Sequence, residues 1–179
     1  MPDAAHPATL RVRDAAARSG VHIDVDTFDE STHTAEDAAR AIGSELGQIV
    51  KSLVFVAPVS TGDDSPERLV AVIALVSGTD RVDIRRLADQ VGRPGLRRAD
   101  ADEAQRLTGY VIGGIPPFGH RDPLTGVMDP GLLRFEEVWA AAGTPTAVFR
   151  ITPDDLRRTS DAIVAACAQE PTAASTAGA

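Results

Sequence analysis

The chain has 179 residues, 43% of them hydrophobic and 25% charged, which is a globular composition with enough apolar material for one core. Its formal net charge of −8 opposes a broad polycationic nucleic-acid surface, although a grip on the end of a nucleic acid needs only a few local cations. Cys167 is the single cysteine, which excludes an internal disulfide and a cysteine-rich zinc site, and no apolar run approaches the roughly 20 residues that span a bilayer.

The opening MPDAAHPATL has neither a basic n-region nor an apolar h-region, so a cytoplasmic protein is expected. Residues 1–8 and 169–179 are small, polar and proline-containing, and are expected as flexible termini around one domain at 9–168. Residues 9–19 predict a short amphipathic helix closed by Gly20, and the alternation at 21–28 predicts a half-buried strand. Thr34 caps a helix running to about Ile42, with Glu36 and Asp37 in its first turn and Gly43 at its end. The β-branched runs at 49–57 and 68–76, joined by STGDDSPE, predict an antiparallel pair inside a buried sheet.

Asp83 caps a helix carrying Ile84, Leu87, Ala88 and Val91 on one face, and Asp100 with Glu103 makes a capping box for another that ends at Thr108-Gly109. A short strand is predicted at Tyr110–Ile112 and a further one at 146–151. Thr152-Pro153 then opens the last helix, with Asp154 and Asp155 in its first turn. Strands and helices mix without a strict βαβ rhythm, so the expected class is α/β in the α+β sense, a single mixed-sheet domain.

Two features exceed what a bland fold requires. Residues 109–119, Gly-Tyr-Val-Ile-Gly-Gly-Ile-Pro-Pro-Phe-Gly, form a stiff loop whose adjacent glycines let backbone approach a ligand and present N–H groups, as an oxygen turning negative under attack requires. A tight connection without a ligand is the alternative. The loop has neither phosphate-loop nor dinucleotide spacing, and the chain has no paired Cys/His spacing, no His-Glu-x-x-His and no Gly-x-Ser-x-Gly. No metal and no cofactor are therefore expected. Lys51, the only lysine among 18 basic residues, sits inside the apolar run Ile49–Val56, where it either lies on a solvated edge or points into a pocket.

Lys51 and the glycine–proline loop together resemble the YbaK/prolyl-tRNA-synthetase-associated family of aminoacyl-tRNA deacylases. The order is His33-Thr34, Ile49-Val50-Lys51-Ser52-Leu53, Val76-Ser77-Gly78, Asp83–Leu87, then Thr108-Gly109-Tyr110-x-x-Gly113-Gly114-Ile115-Pro116-Pro117-Phe118-Gly119, spanning about residues 20 to 165. The resemblance implies one domain on a curved, mixed, barrel-like sheet flanked by helices. It also implies hydrolysis of the ester between an amino acid and the 3′-terminal ribose of a mischarged tRNA. Lys51 would hold the terminal adenosine and its phosphate, and the Gly113–Pro117 loop, with Gly114 beside Gly113, would position the substrate carbonyl. Water, the ribose 2′-hydroxyl or a substrate side chain would attack. Phe28, Thr34, Ser52, Ser77, Gly109, Tyr110, Ile115, Pro116, Pro117 and His120 are the candidate substrate-binding residues. The implied partners are the 3′ acceptor end of an aminoacyl-tRNA and an aminoacyl-tRNA synthetase, with no membrane, for a monomer or weak homodimer. The implied substrates are small amino acids of the Cys, Ala, Ser or Thr type. Gly143–Val148 lacks the acidic residue that some relatives carry after a Gly-Gly turn, so substrate preference does not transfer directly from the cysteinyl-tRNA deacylases. A non-catalytic aminoacyl- or nucleotide-binding module of the same fold is the alternative.

Overall fold

The computed structural model describes residues 5–29, 34–59 and 68–171. The loop at 60–67, His33 and the outer terminal residues lie outside the described residues. Helices are α1 (Pro7–Arg18), α2 (Ala35–Ile42), α3 (Ile84–Val91), α4 (Ala101–Thr108) and α5 (Pro153–Ser160). Strands are β1 (Val25–Thr27), β2 (Val50–Val59), β3 (Arg68–Ser77), β4 (Arg97–Arg98), β5 (Thr125–Met128), β6 (Val138–Ala141), β7 (Ala147–Ile151) and β8 (Ile163–Val164).

Capping chemistry fixes the helices where the sequence places them. Thr34 Oγ1 accepts the Asp37 N–H, Asp83 accepts from Arg85 and Arg86, Asp100 and Glu103 close a reciprocal box, and Thr152 accepts from Asp155. Helix α1 begins at Pro7, inside the stretch expected to be loose, because His6 Nδ1 accepts the Ala8 N–H. At the other end Gln169 N–H donates to the Arg81 carbonyl and Glu170 pairs with Arg86, so 169–170 are tied to the domain.

The strands form two sheets, ordered β4-β2-β3-β5-β8 and β1-β7-β6. β2 and β3 pair antiparallel over ten residues, from Val50↔Ser77 to Val59↔Arg68, while β3–β5 and β5–β8 are parallel. Among the described residues a single bridge, Ile49↔Trp139, links the two sheets, and the strands do not close into a barrel. Both faces of the β2–β3 pair are covered. Val54, Val56, Ile73 and Leu75 enter the main core with α1, β7 and α5, whereas Phe55, Val72, Ala74 and Val76 pack with Leu87 of α3 on the other side. That double burial is why these strands read as unbroken apolar runs.

The predicted strand at Tyr110–Ile112 is absent. The Gly114 N–H donates to the Val111 carbonyl at 3.0 Å and Gly113 has φ +89°, so residues 111–114 form a turn of the kind that needs glycine at its third position. The β-branched pair Val111 and Ile112 sits exposed on its corners. Strands β5 and β6 were not expected from the sequence; TGVM and VWAA are short and rich in Gly and Ala, and become strands through their neighbours.

Candidate active site

β2 supplies the first wall. The Val54 carbonyl accepts the Ala99 N–H at 3.0 Å, so Val54, and Ser52 two residues before it, turn their backbone groups toward the β4 side. The β4 ladder covers only Phe55 and Val56, which leaves the edge beside Val50–Leu53 without a strand neighbour in its own sheet. A cavity of about 290 Å³ opens there. β6 and β7 wall it with Trp139, Ala140, Ala141 and Val148, α2 contributes Ala35 and Ile42 behind Thr34, and the glycine loop contributes Ile112, Gly113 and Ile115.

The two readings of Lys51 turn out to be one. The strand edge is open, and the pocket lies against that opening. Lys51 is half-buried and its Nζ donates to the Asp80 carbonyl. Burial pushes its pKa below the ordinary lysine value, opposed in part by Asp80 and Glu36. Ser52 lines the same cavity, and its buried Oγ has no hydrogen-bond partner among the described residues.

In the loop, Gly113 and Gly114 have different duties. Gly113 lines the cavity and holds the left-handed turn position. Gly114 spends its N–H on Val111, and a Cβ there would stand 2.7 Å from the Thr144 backbone, so it serves close packing instead of offering a donor. The expectation of two neighbouring free N–H groups is corrected accordingly.

Of the residues singled out in the sequence, Thr34, Lys51, Ser52, Gly113 and Ile115 meet in this cavity. The others stand outside its lining. Phe28 N–H donates to the Thr146 carbonyl, extending the β1–β7 pairing. Ser77 is fully buried and its Oγ donates to the Gly47 carbonyl at 2.6 Å. Gly109 is the left-handed cap of α4. Tyr110 is buried, with its hydroxyl donating to the Gly119 carbonyl and Arg11 over its ring. Pro116 and Pro117 are buried behind the loop. His120 donates from Nε2 to the Pro116 carbonyl at 2.8 Å and packs edge-on against Tyr110, and burial lowers its pKa. It braces the loop from behind.

Arg98 and Trp139 were missed. Arg98 is one of 17 arginines, and only its pairing with Phe55 brings it to the cavity. Trp139, the only tryptophan, carried a compositional signal but lies on the unexpected strand β6. Among the described residues no cluster of three or more His, Cys, Asp or Glu is arranged to hold a metal ion, and no helix is long and apolar enough to cross a membrane.

The family model described as the aminoacyl-tRNA editing domain matches residues 29–159. An uncharacterized protein, YwhH of Bacillus subtilis, is 31% identical over 133 residues, covering 74% of this chain and 78% of its own. The multifunctional Ser/Thr-tRNA deacylase ProXp-y of Escherichia coli K12 is 33% identical over 132 residues, covering 70% and 75%. Among solved structures, a candidate trans-editing enzyme for prolyl tRNA synthetase superposes with a TM-score of 0.79 at 44% identity, over 91% of this chain and 98% of that one.

Proposed function

The chain belongs to the aminoacyl-tRNA editing domain family, and from that premise we propose that it is a trans-editing deacylase acting on a tRNA charged with a small, non-cognate amino acid. It is a hydrolase of the aminoacyl ester. The finer assignment, to Cys-, Ala-, Ser- or Thr-type substrates, draws support from the dimensions of the cavity. At about 290 Å³ it sits at the lower end of ligand sites, which run from about 300 to 1,000 Å³. Such a volume suits a small aminoacyl group together with part of a ribose.

The observation that carries the proposal is the convergence of the Lys51 ammonium and the Gly113 turn on one apolar-walled cavity. In this reading Lys51 neutralises the phosphate of the terminal nucleotide. The Gly113 N–H, which has no partner among the described residues, faces the substrate carbonyl and takes up charge as the tetrahedral intermediate forms. Water attacks the carbonyl carbon and gives up a proton, directly or through the neighbouring ribose hydroxyl. The acyl C–O bond then breaks, the ribose oxygen takes up that proton, and the free amino acid and the uncharged 3′ end leave.

No protein nucleophile enters the scheme. Thr34 and Ser52 are the hydroxyls of the cavity, and no His, Asp or Glu stands among its described lining residues to activate them. Cys167 is fully buried, with its thiol pushed up to about 12. Orientation and the Gly113 N–H therefore supply the rate, which an activated ester permits.

The experiment is a panel of tRNAs mischarged with Ala, Ser, Thr or Cys, followed for loss of the aminoacyl group. Wild-type protein is expected to deacylate at least one, Lys51→Ala to lose at least about tenfold in kcat/KM, and Gly113→Ala to lose about 10²-fold in kcat. Saturable binding with no turnover on any member of the panel would instead identify a non-catalytic module.

A further inference from the structure

We infer that Arg98 and Lys51 form a two-cation subsite for one phosphate group at the mouth of the cavity, with Arg98 supplying the geometric half of the grip. The inference rests on the deacylase reading for the identity of the ligand, a nucleotide phosphate, but its physical basis is separate.

Lys51, Leu53 and Phe55 alternate onto one face of β2, and Arg98 is the direct cross-strand partner of Phe55. Directly opposed residues share a face, so the two cations project from the same side of the sheet, with Leu53 between them. Both line the cavity. The Arg98 guanidinium lies over the Phe55 ring, 5.3 Å from its centroid, and Phe55 is itself only 2% exposed. A buried ring therefore forms a fixed shelf under the guanidinium of Arg98, an exposed residue.

The ion pairing of its neighbour sets Arg98 apart. Arg97, one residue earlier, is locked bidentately onto Glu103, at 2.8 and 2.7 Å. Arg98 has no ion-pair partner among the described residues. Lys51 has none either, since its Nζ bonds to a backbone carbonyl. In a chain with net charge −8 these two cations line one cavity; Asp80 and Glu36 offset part of the charge on Lys51, and Arg98 repels it. An anion between them removes that repulsion. A phosphate suits the pair because it accepts a planar two-donor fork from Arg while Lys serves as a point charge.

The test is binding of the dinucleotide cytidylyl-adenosine, with its ordinary phosphodiester or with a neutral methylphosphonate linkage, measured by calorimetry or competition. Wild-type protein is expected to prefer the charged dinucleotide about tenfold. Arg98→Gln should erase most of that preference while binding the neutral dinucleotide as wild type does, and Arg98→Lys should keep part of it. The preference of the wild type should weaken with added salt, and that of Arg98→Gln should be nearly flat. Equal binding of both dinucleotides by the wild type would overturn the subsite, as would equal losses for both on Arg98→Gln. Because the readout is binding, a protein that hydrolyses no mischarged tRNA would still pass or fail this test on its own terms.

Discussion

Lys51 carries a cost that the fold accepts. Its pKa is lowered chiefly because burial strips water from the ammonium. The folded chain thus holds this proton less firmly than the unfolded chain, whose lysine keeps its ordinary value of 10.5. Stability therefore rises with pH between the lowered folded value and the ordinary one, and below that window the charge opposes folding. Lys51→Met is expected to raise the melting temperature at neutral pH while abolishing deacylation; a lower melting temperature would show that the bond to the Asp80 carbonyl outweighs desolvation. Ser52 poses the converse case. Its hydroxyl forfeits no hydrogen bond to the described residues on removal, so Ser52→Ala should leave stability within about 0.5 kcal/mol. If that hydroxyl meets the substrate, KM rises roughly 3–10-fold, the worth of one hydrogen bond. An unchanged KM would remove Ser52 from the substrate-binding set. At this scale the sequence was legible where a residue type was rare. Lys51 stood out as the single lysine, whereas Arg98 was hidden among many arginines because its meaning comes from strand pairing.

At the scale of elements, legibility followed local chemistry. Caps at Thr34, Asp83, Asp100 and Thr152 act within three residues, so all four helices start where the sequence indicates. β5 and β6 owe their form to partners distant in sequence, and β6 supplies a cavity wall that no local pattern announces. The turn at 111–114 overrode the β-branched Val111-Ile112 because a left-handed corner at Gly113 leaves no room for a ladder. That turn separates two variants. Gly113→Ala must place a side chain at positive φ, a penalty of about 1–2 kcal/mol. Gly114→Ala must push a methyl into the Thr144 backbone, which costs about 1–3 kcal/mol and displaces the loop from β6–β7. Thermal melts should show both variants destabilised, and Gly114→Ala should lose activity although its N–H points at Val111. Wild-type turnover by Gly114→Ala would mean that the loop's position against Thr144 is irrelevant to the site.

For the whole molecule, charge decides how an acidic protein handles a polyanion. With a net charge of −8, long-range steering works against association, so affinity must come from cations concentrated where the ligand enters. The cavity mouth offers Lys51 and Arg98, and no other basic side chain among the described residues lines it. Each phosphate neutralised on a single strand contributes about −0.7 to the slope of log affinity against log salt. A subsite in which two cations share one phosphate predicts a slope near −0.7 to −1.5 for kcat/KM on a mischarged tRNA between about 50 and 200 mM salt. In Arg98→Gln the slope should become shallower. The same logic predicts that an aminoacylated acceptor minihelix is deacylated nearly as well as the full tRNA, because the grip is confined to the charged 3′ end. A slope near about −5 would signal many more phosphate contacts, and would move RNA recognition away from the cavity to arginine-bearing surfaces elsewhere on the domain, such as the one formed by Arg11, Arg18 and Arg121.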